Sequence, residues 1–206
     1  MRGEHEQESS DACVFCARRG QPALLFETDT FYVMPDKFPL VPGHVLIIPK
    51  EHVRCYGAMS IDALRAVDEA AMRIRRFLSD MYGAPVLTTE TGVLGQTVFH
   101  AHLHLIPLPH VAFPPEVFRH GDVTPIADWR AVQGYYAEHG HYYYVEVGGK
   151  RYVITSYQSP VIHAMRRAVA GPLGLSVGER GFVRATTPDD VLVMGQRWRD
   201  WTQQGI

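Results

Sequence analysis

The sequence predicts an α+β fold, in which one long helix lies across an antiparallel sheet of about five strands and a C-terminal α/β extension follows. Three observations predict it. Short runs rich in β-branched and aromatic residues are separated by turns that contain Gly or Pro. The segment 60–82 repeats apolar residues at helical spacing. After about residue 110 a Pro-rich connection leads into a second set of elements, so we expect a core at 10–110 and an extension at 111–206 packed on it.

The core elements follow from local patterns. Residues 22–35 predict a hairpin with a polar turn at 27–29, and "HVLIIPKEH" predicts a strand that ends at Pro49. "APVLTTE" predicts a strand, "TGVLG" a turn and "QTVFHAHLHLIPL" a long strand. Between the third and fourth predicted strands, Ser60 caps a helix that continues to Gly83. Its apolar stripe comprises Ile61, Leu64, Val67, Ala71, Ile74, Leu78 and Met81.

The extension is expected to hold a hairpin and helices. "PHVAFPPEVFRHGDVTP" predicts an irregular Pro-rich connection, and "IADWRAVQGYYAEHG" a short helix. Two β-rich runs flank Gly148–Gly149, a hairpin signal. A helix is expected at 160–170, with Ser159 as its cap, and another from Thr187 to near Gln204.

Composition excludes several classes of protein. Of the 206 residues, 46% are hydrophobic and 20% charged, as in an ordinary globular protein. The net charge of −2 gives no general attraction to a nucleic-acid polymer or an acidic membrane. No apolar run approaches the roughly 20 residues of a membrane span, and the polar N-terminus lacks a secretory apolar segment. We therefore expect a cytoplasmic protein.

Two motifs contain candidate functional residues. The residues at every second position of a predicted strand are His100, His102 and His104, so the three side chains should share one face of the sheet. Such a group of histidines can be a metal site, a catalytic site or an accident of packing. Cys13 and Cys16 form a C-x-x-C pair without the βαβ setting of a redox motif, which favours a metal half-site.

Four segments together resemble the histidine-triad (HIT) family of nucleotide hydrolases and transferases. They are "CVFC", "VPGHVLIIPKEHV", the lead "GQTV" and the heptad "HAHLHLI", and they cover about residues 12–109. The resemblance implies a HIT-like fold, a nucleotide substrate and a homodimer. His104 also favours the hydrolases, since transferase branches of the family often have Gln at this position.

The resemblance also implies roles for individual residues. His102 is expected to attack phosphorus and form a covalent nucleotidyl-histidine, without a divalent ion. Gln96, Thr97 and His104 are expected to hold the phosphate, so the expected catalytic set is His102, His104 and Gln96. Asp36 falls where an acidic residue binds both ribose hydroxyls, although a turn-starting Asp explains it equally well. Phe31 and Phe38 could line a base pocket or simply pack in the core.

A structural zinc ion is the cofactor that the resemblance implies. Its ligands would be Cys13, Cys16, His52 and His100, a closed set with no position left for substrate. The sequence departs from the family before Gly-Gln, where "TTETG" lacks the usual Asn, and Thr89 or Glu90 is expected to replace it.

The expected activity is hydrolysis of a nucleoside monophosphate conjugate: a phosphoramidate, an aminoacyl-adenylate or a dinucleoside polyphosphate. Three alternatives stay open. One is a nucleotidyltransferase or phosphorylase that passes the nucleotide to an acceptor other than water. Another is a non-catalytic nucleotide-binding module, and the last makes the three triad histidines joint ligands of a catalytic metal.

Overall fold

A computed structural model describes residues 12–18, 21, 24–93, 95–108, 121–155, 164–171, 173–175 and 185–204. In chain order the strands are β1 (Phe26–Glu27), β2 (Phe31–Pro35), β3 (Val45–Pro49), β4 (Val86–Glu90), β5 (Leu103–Pro107), β6 (Asp122–Ile126), β7 (Tyr143–Val147) and β8 (Lys150–Thr155). The α-helices are α1 (Ile61–Tyr82), α2 (Trp129–His139), α3 (Ala164–Ala170) and α4 (Pro188–Gln203), and a 3-10 helix spans Tyr56–Ala58. Within the described residues, no helix is long and apolar enough to cross a membrane.

The eight strands of the described residues form one sheet in the order β1-β2-β3-β5-β4-β7-β8-β6, and every neighbouring pair is antiparallel. The α+β fold with an antiparallel sheet is therefore confirmed. The sheet of the described residues has eight strands rather than about five, because β6, β7 and β8, which follow residue 110, join the five strands that precede it. The added strands join at β4, which pairs with β5 on one side and with β7 on the other.

Local signals in the sequence place most of the helices and turns. The Ser60 hydroxyl accepts a hydrogen bond from the Ala63 N–H at the start of α1, and Gly83 ends that helix with a φ of 59°. The Thr187 side chain and Asp190 form a capping box at the start of α4. Gly148 and Gly149 make the β7–β8 turn, both at positive φ.

Two predicted elements differ from the structure. The long strand expected for 96–108 is wrong, because only Leu103–Pro107 is a strand and His100 and His102 precede it. The Pro-rich connection contains an unexpected strand, β6, at its end. Pro125 is tolerated there because, among the described residues, β6 is the last strand of the sheet and only β8 pairs with it. The helix expected at 160–170 is described only as α3; Ser159 and Pro160 lie outside the described residues.

One face of the sheet is covered by α1 and by the last helix of the extension. The inward side chains of α1 include Leu64, Val67 and Phe77, all fully buried. Trp198 of α4 stacks on Phe26 with ring centroids 4.9 Å apart and meets Phe77 edge-on at 5.1 Å. The extension therefore completes the apolar core that α1 begins.

Among the described residues, α3 covers part of the opposite face of the sheet. Val169 and Ala170 of α3 are fully buried and pack in a cluster with Leu87, Ile106 and Val145 of the sheet. Beside this cluster, Leu46 of β3, Thr89 of β4 and His104 of β5 line a cleft, and so does Arg166 of α3. The helix thus borders the cleft directly.

Buried polar groups connect the extension to the core next to the β4–β7 junction. The carboxyl group of Glu90 accepts hydrogen bonds from the Tyr56 N–H at 2.8 Å and from the Tyr142 hydroxyl at 2.5 Å. The same Tyr142 oxygen accepts from the Gly57 N–H at 2.8 Å. Burial raises the pKa of Glu90 to about 8, and the hydrogen bonds from Tyr142 and Tyr56 offset only part of that effect.

Replacing Glu90 with Gln should change how stability depends on pH. The pKa of Glu90 is about 8 in the folded protein and near 4.5 in the unfolded chain. Between these values the folded state keeps a proton that the unfolded chain has lost. The free energy of unfolding of the wild type should therefore fall with rising pH, by up to about 1.4 kcal/mol per pH unit from this group. Glu90→Gln should lose that component of the slope, as measured by urea unfolding at several pH values.

The matched control is Glu138→Gln, which removes an exposed glutamate on α2. It should follow the wild-type pH dependence. Parallel stability curves for the wild type and Glu90→Gln would contradict the raised pKa of Glu90.

Candidate functional site

The cleft has a volume of about 310 Å³. It is lined by residues from the C-x-x-C turn, the β2–β3 loop, the sheet, the β4–β5 connection and α3. The lining residues include Phe15, Asp36, Phe38, His44, Thr89, Gln96, Thr97, His102, His104 and Arg166. Of the three triad histidines, His102 and His104 line the cleft and His100 does not.

A chain of hydrogen bonds determines which nitrogen of His104 holds the proton. The Leu40 N–H donates to Nδ1 of His44 at 3.2 Å, so that neutral His44 must have its proton on Nε2. Nε2 of His44 lies 2.9 Å from Nδ1 of His104 and donates to it. Burial holds the pKa of both histidines below the usual value, which keeps them neutral. His104 therefore presents an Nε2–H donor.

His102 has the opposite arrangement. Its Nδ1 donates to the backbone carbonyl of His100 at 2.7 Å, which leaves Nε2 without a proton. Burial, with a further contribution from His104, lowers the pKa of His102 to about 3. The two rings are 5.0 Å apart between centroids. One cleft thus contains an imidazole lone pair and an imidazole N–H side by side.

His100 belongs to a separate cluster with Cys13, Cys16 and His52, whose ligand atoms all lie within 4.8 Å of one another. Nδ1 of His100 is 3.4 Å from each sulfur, and Nδ1 of His52 is 3.2 Å from the sulfur of Cys16. Tetrahedral zinc with Cys and His ligands requires S···N separations of about 3.5 Å. Nε2 of His100 donates to the Pro49 carbonyl at 2.8 Å, so its Nδ1 lone pair faces the sulfurs. These four residues therefore fit a closed zinc site.

One aromatic side chain, Phe15, contacts a histidine of the Cys/His cluster and also lines the cleft. Phe15 lies between the two cysteines in sequence, and its ring contacts His102 at a centroid distance of 5.3 Å and His100 at 5.7 Å. Phe15 therefore contacts both the histidine expected to bind zinc, His100, and the histidine expected to attack phosphorus, His102.

The β4–β5 connection brings Gln96 and Thr97 to the cleft. Three of the described residues in this connection have positive φ: Gly92 at 50°, Val93 at 88° and Gly95 at 64°. A Cβ on Gly92 would lie 2.4 Å from the Tyr142 carbonyl oxygen, so the turn requires glycine there. The Gln96 amide donates to the Arg54 carbonyl at 2.7 Å, and its buried Oε1 has no partner among the described residues. As a phosphate donor, Gln96 would have to rotate its amide.

The structure separates the two phenylalanines expected at the base pocket, and likewise the two residues expected to replace the missing Asn. Phe31 does not line the cleft: strand alternation turns it to the other face, into the apolar core, where it meets Phe26. Phe38 does line the cleft. Thr89 lines it and pairs across the sheet with His104, whereas Glu90 points to the α1 face. Of the two residues expected to replace the missing Asn, Thr89 is therefore the one that faces the cleft.

Asp36 lies in the cleft as expected, but its carboxylate already has partners. Arg166 of α3 donates to Oδ2 at 2.5 Å, and the same oxygen is 3.3 Å from Nε2 of His44 and 3.5 Å from Nδ1 of His104. Burial alone would raise the pKa of Asp36, but the adjacent His44 and the charge of Arg166 hold it well below the usual value.

Sequence reasoning missed two residues of the site. His44 is 1% exposed and bonds to His104, and the quoted Pro-Gly-His motif contains it without revealing that contact. Arg166 reaches Asp36 from 130 positions away along the chain. Nothing near Arg166 in the sequence indicates such a contact.

Known proteins resemble this chain over its first half. A model of the HIT domain matches residues 19–111. An uncharacterized HIT-like protein of Saccharolobus solfataricus is 30% identical over 102 residues, which cover 46% of this chain and 73% of that protein. The adenylylsulfatase HINT3 of Arabidopsis thaliana is 32% identical over 114 residues, which cover 51% of this chain and 58% of that protein.

A solved structure is also similar. The Zn-bound histidine triad family protein from Mycobacterium smegmatis is 29% identical, with a TM-score of 0.40, and the match covers 48% of this chain and 76% of that one. The matched regions include the triad, while most of the extension lies outside the HIT-domain match.

Proposed function

This chain belongs to the HIT family, and from that premise we propose that it hydrolyses a nucleoside monophosphate conjugate through a covalent intermediate on His102. The conjugate is a phosphoramidate, an aminoacyl-adenylate or a dinucleoside polyphosphate. The observation that supports this most is the pair of complementary imidazoles, with the lone pair of His102 beside the N–H of His104 in one cleft.

In the first step Nε2 of His102 attacks phosphorus, a P–N bond forms, and the bond to the leaving group breaks. A leaving amine takes up one proton from the solvent, and the water of the second step returns one proton to it. The proton on Nδ1 remains hydrogen-bonded to the His100 carbonyl, which stabilises the cationic ring of the intermediate. In the second step water attacks phosphorus and the P–N bond breaks. His102 leaves as the neutral ring, and water loses one proton as the nucleoside monophosphate forms.

Negative charge on the phosphoryl oxygens needs donors that are already in position. Nε2–H of His104 is one such donor, because the hydrogen bond from His44 occupies its other nitrogen. Thr97 lines the same cleft and offers a hydroxyl, and Gln96 offers its amide after rotation. The catalytic set proposed here is His102, His104 and Gln96, with Thr97 at the phosphate. The plant relative named adenylylsulfatase supports an adenylyl group as the nucleotide part.

His102→Ala should abolish release of AMP from adenosine 5′-phosphoramidate, because the nucleophile is lost. We expect a decrease in kcat/KM of at least about 1000-fold, by analogy with other enzymes that lose a nucleophile. AMP is quantified by chromatography, with inorganic phosphate included in a parallel reaction. Formation of ADP in that reaction would instead indicate transfer to phosphate.

His139→Ala is the matched control, since it removes a histidine on α2 that does not line the cleft. It should retain wild-type turnover. Undiminished AMP release by His102→Ala would exclude the proposed mechanism.

We also propose that Cys13, Cys16, His52 and His100 hold a structural Zn²⁺. When bound, a closed four-ligand zinc stabilises the fold and leaves no open position for substrate. Its residues would keep Phe15 against His102 and tie the N-terminal turn to the segment that precedes β5.

Metal analysis of the purified protein should find one zinc per chain. Cys16→Ala should lose that zinc and lower the melting temperature, because three ligands hold the ion less tightly. The control is Cys55→Ala, which removes a cysteine outside the cluster and should keep the zinc. Full zinc content in Cys16→Ala would show that the ion is held elsewhere.

The homodimer, the cytoplasmic location and the division of the chain near residue 110 stay predictions. Both sides of β4 are paired within the chain, so two copies could not dimerise by pairing their β4 strands with each other. Light scattering of the purified full chain would measure the oligomeric state.

A further inference from the structure

Tyr142 is the residue of the extension that lies against both segments that hold Gln96. It immediately precedes β7 and is fully buried. Its hydroxyl accepts the Gly57 N–H at 2.8 Å and donates to Glu90 at 2.5 Å. Its backbone N–H donates to the Gly92 carbonyl at 3.2 Å. One residue of the extension thus contacts the end of β4, the connection that follows it and the segment that precedes α1.

The first segment, residues 54–57, holds the side chain of Gln96. The Arg54 carbonyl accepts a hydrogen bond from the Gln96 amide at 2.7 Å. Three residues further on, the Gly57 N–H donates to the Tyr142 hydroxyl, and a Cβ on Gly57 would lie 2.9 Å from the Tyr142 ring. Because the two backbones are so close, Tyr142 determines where the Arg54 carbonyl stands.

The second segment is the β4–β5 connection, which contains Gln96 itself. It begins against Tyr142: a Cβ on Gly92 would lie 2.4 Å from the Tyr142 carbonyl oxygen and 2.7 Å from its ring. The next residue, Val93, forms an isolated bridge with Tyr142. This is the part of the sequence that lacks the usual Asn. The backbone that leads to Gln96 is therefore packed on the extension.

We propose that Tyr142 is a positioning residue for Gln96, so that the extension supports the phosphate-binding part of the cleft. Tyr142 acts on Gln96 by two routes, through the backbone that leads to it and through the carbonyl that its amide contacts. A misplacement of about 1 Å in a catalytic site can cost a factor of about 100 in rate. This inference rests on the proposed function, because it concerns a phosphate donor of the same cleft.

The test is a double-mutant cycle on the release of AMP from adenosine 5′-phosphoramidate. Tyr142→Phe keeps the buried ring and removes the hydroxyl between Gly57 and Glu90. It should lower kcat by about tenfold and change KM by less than about threefold, because a phosphate donor acts mainly in the transition state. In a Gln96→Ala background, Tyr142→Phe should change kcat by less than about twofold, because the residue through which it acts is gone.

Tyr144→Phe is the matched control. Tyr144 is also fully buried, and its hydroxyl donates to Glu146 at 2.7 Å. Its side chain packs in the apolar core with residues of α1 and does not line the cleft. This variant should keep the wild-type kcat even if its melting temperature falls as far as that of Tyr142→Phe. It therefore separates a loss of stability from a loss of position.

Equal fold-losses of kcat from Tyr142→Phe with and without Gln96 would overturn the inference, because the loss would then not pass through Gln96. An unchanged kcat in Tyr142→Phe would overturn it as well. Both results leave the proposed function standing, provided that the wild type releases AMP and His102→Ala does not. If the wild type turns over none of the proposed conjugates, the proposed function fails and the inference fails with it.

Gly92→Ala serves if Tyr142→Phe does not fold. It leaves the Tyr142 side chain intact and forces the β4–β5 connection away from it. It should lower kcat by about tenfold in the wild-type background and by less than about twofold beside Gln96→Ala. Equal losses in the two backgrounds would overturn the inference.

Discussion

The pairing of β5 between β3 and β4 is the constraint on which the cleft depends. Leu103 and Leu105 point to α1 and are fully buried, so strand alternation directs His104 to the opposite face. A slip of one residue would place an imidazole in the apolar core and leucines in the cleft. The position of His104 is therefore determined by the burial of its neighbours.

The extension takes part in both faces of the same sheet. On the α1 side, Trp198 fills the space beside Phe26 and Phe77, and on the other side α3 borders the cleft and contributes Arg166. Between them, β7 pairs with β4 and covers what would otherwise be an open edge of the core sheet. An addition after residue 110 is thus part of the core, the sheet and the site at once.

Most of the fold followed from local patterns, and the reasons are visible in particular residues. The caps at Ser60 and Thr187 satisfy N–H groups within three residues of themselves, so sequence reasoning can find them. The alternation of three histidines was only partly informative. His104 is in β5, but His100 and His102 precede it, and the direction of each of those two rings is associated with a hydrogen bond to a carbonyl. Phe31 shows the same limit, since its face depends on the sheet that β2 joins.

The sequence by itself determined the family resemblance, the candidate zinc ligands and the two imidazoles of the cleft, because motif residues lie within short, recognisable segments. Only the tertiary structure decided which proton each imidazole holds and what faces Asp36. Those depend on Leu40, His44 and Arg166, whose contacts join distant parts of the chain. A hydrogen bond or an ion pair requires atoms within about 3 Å, and no spacing along the chain specifies that for residues 130 positions apart.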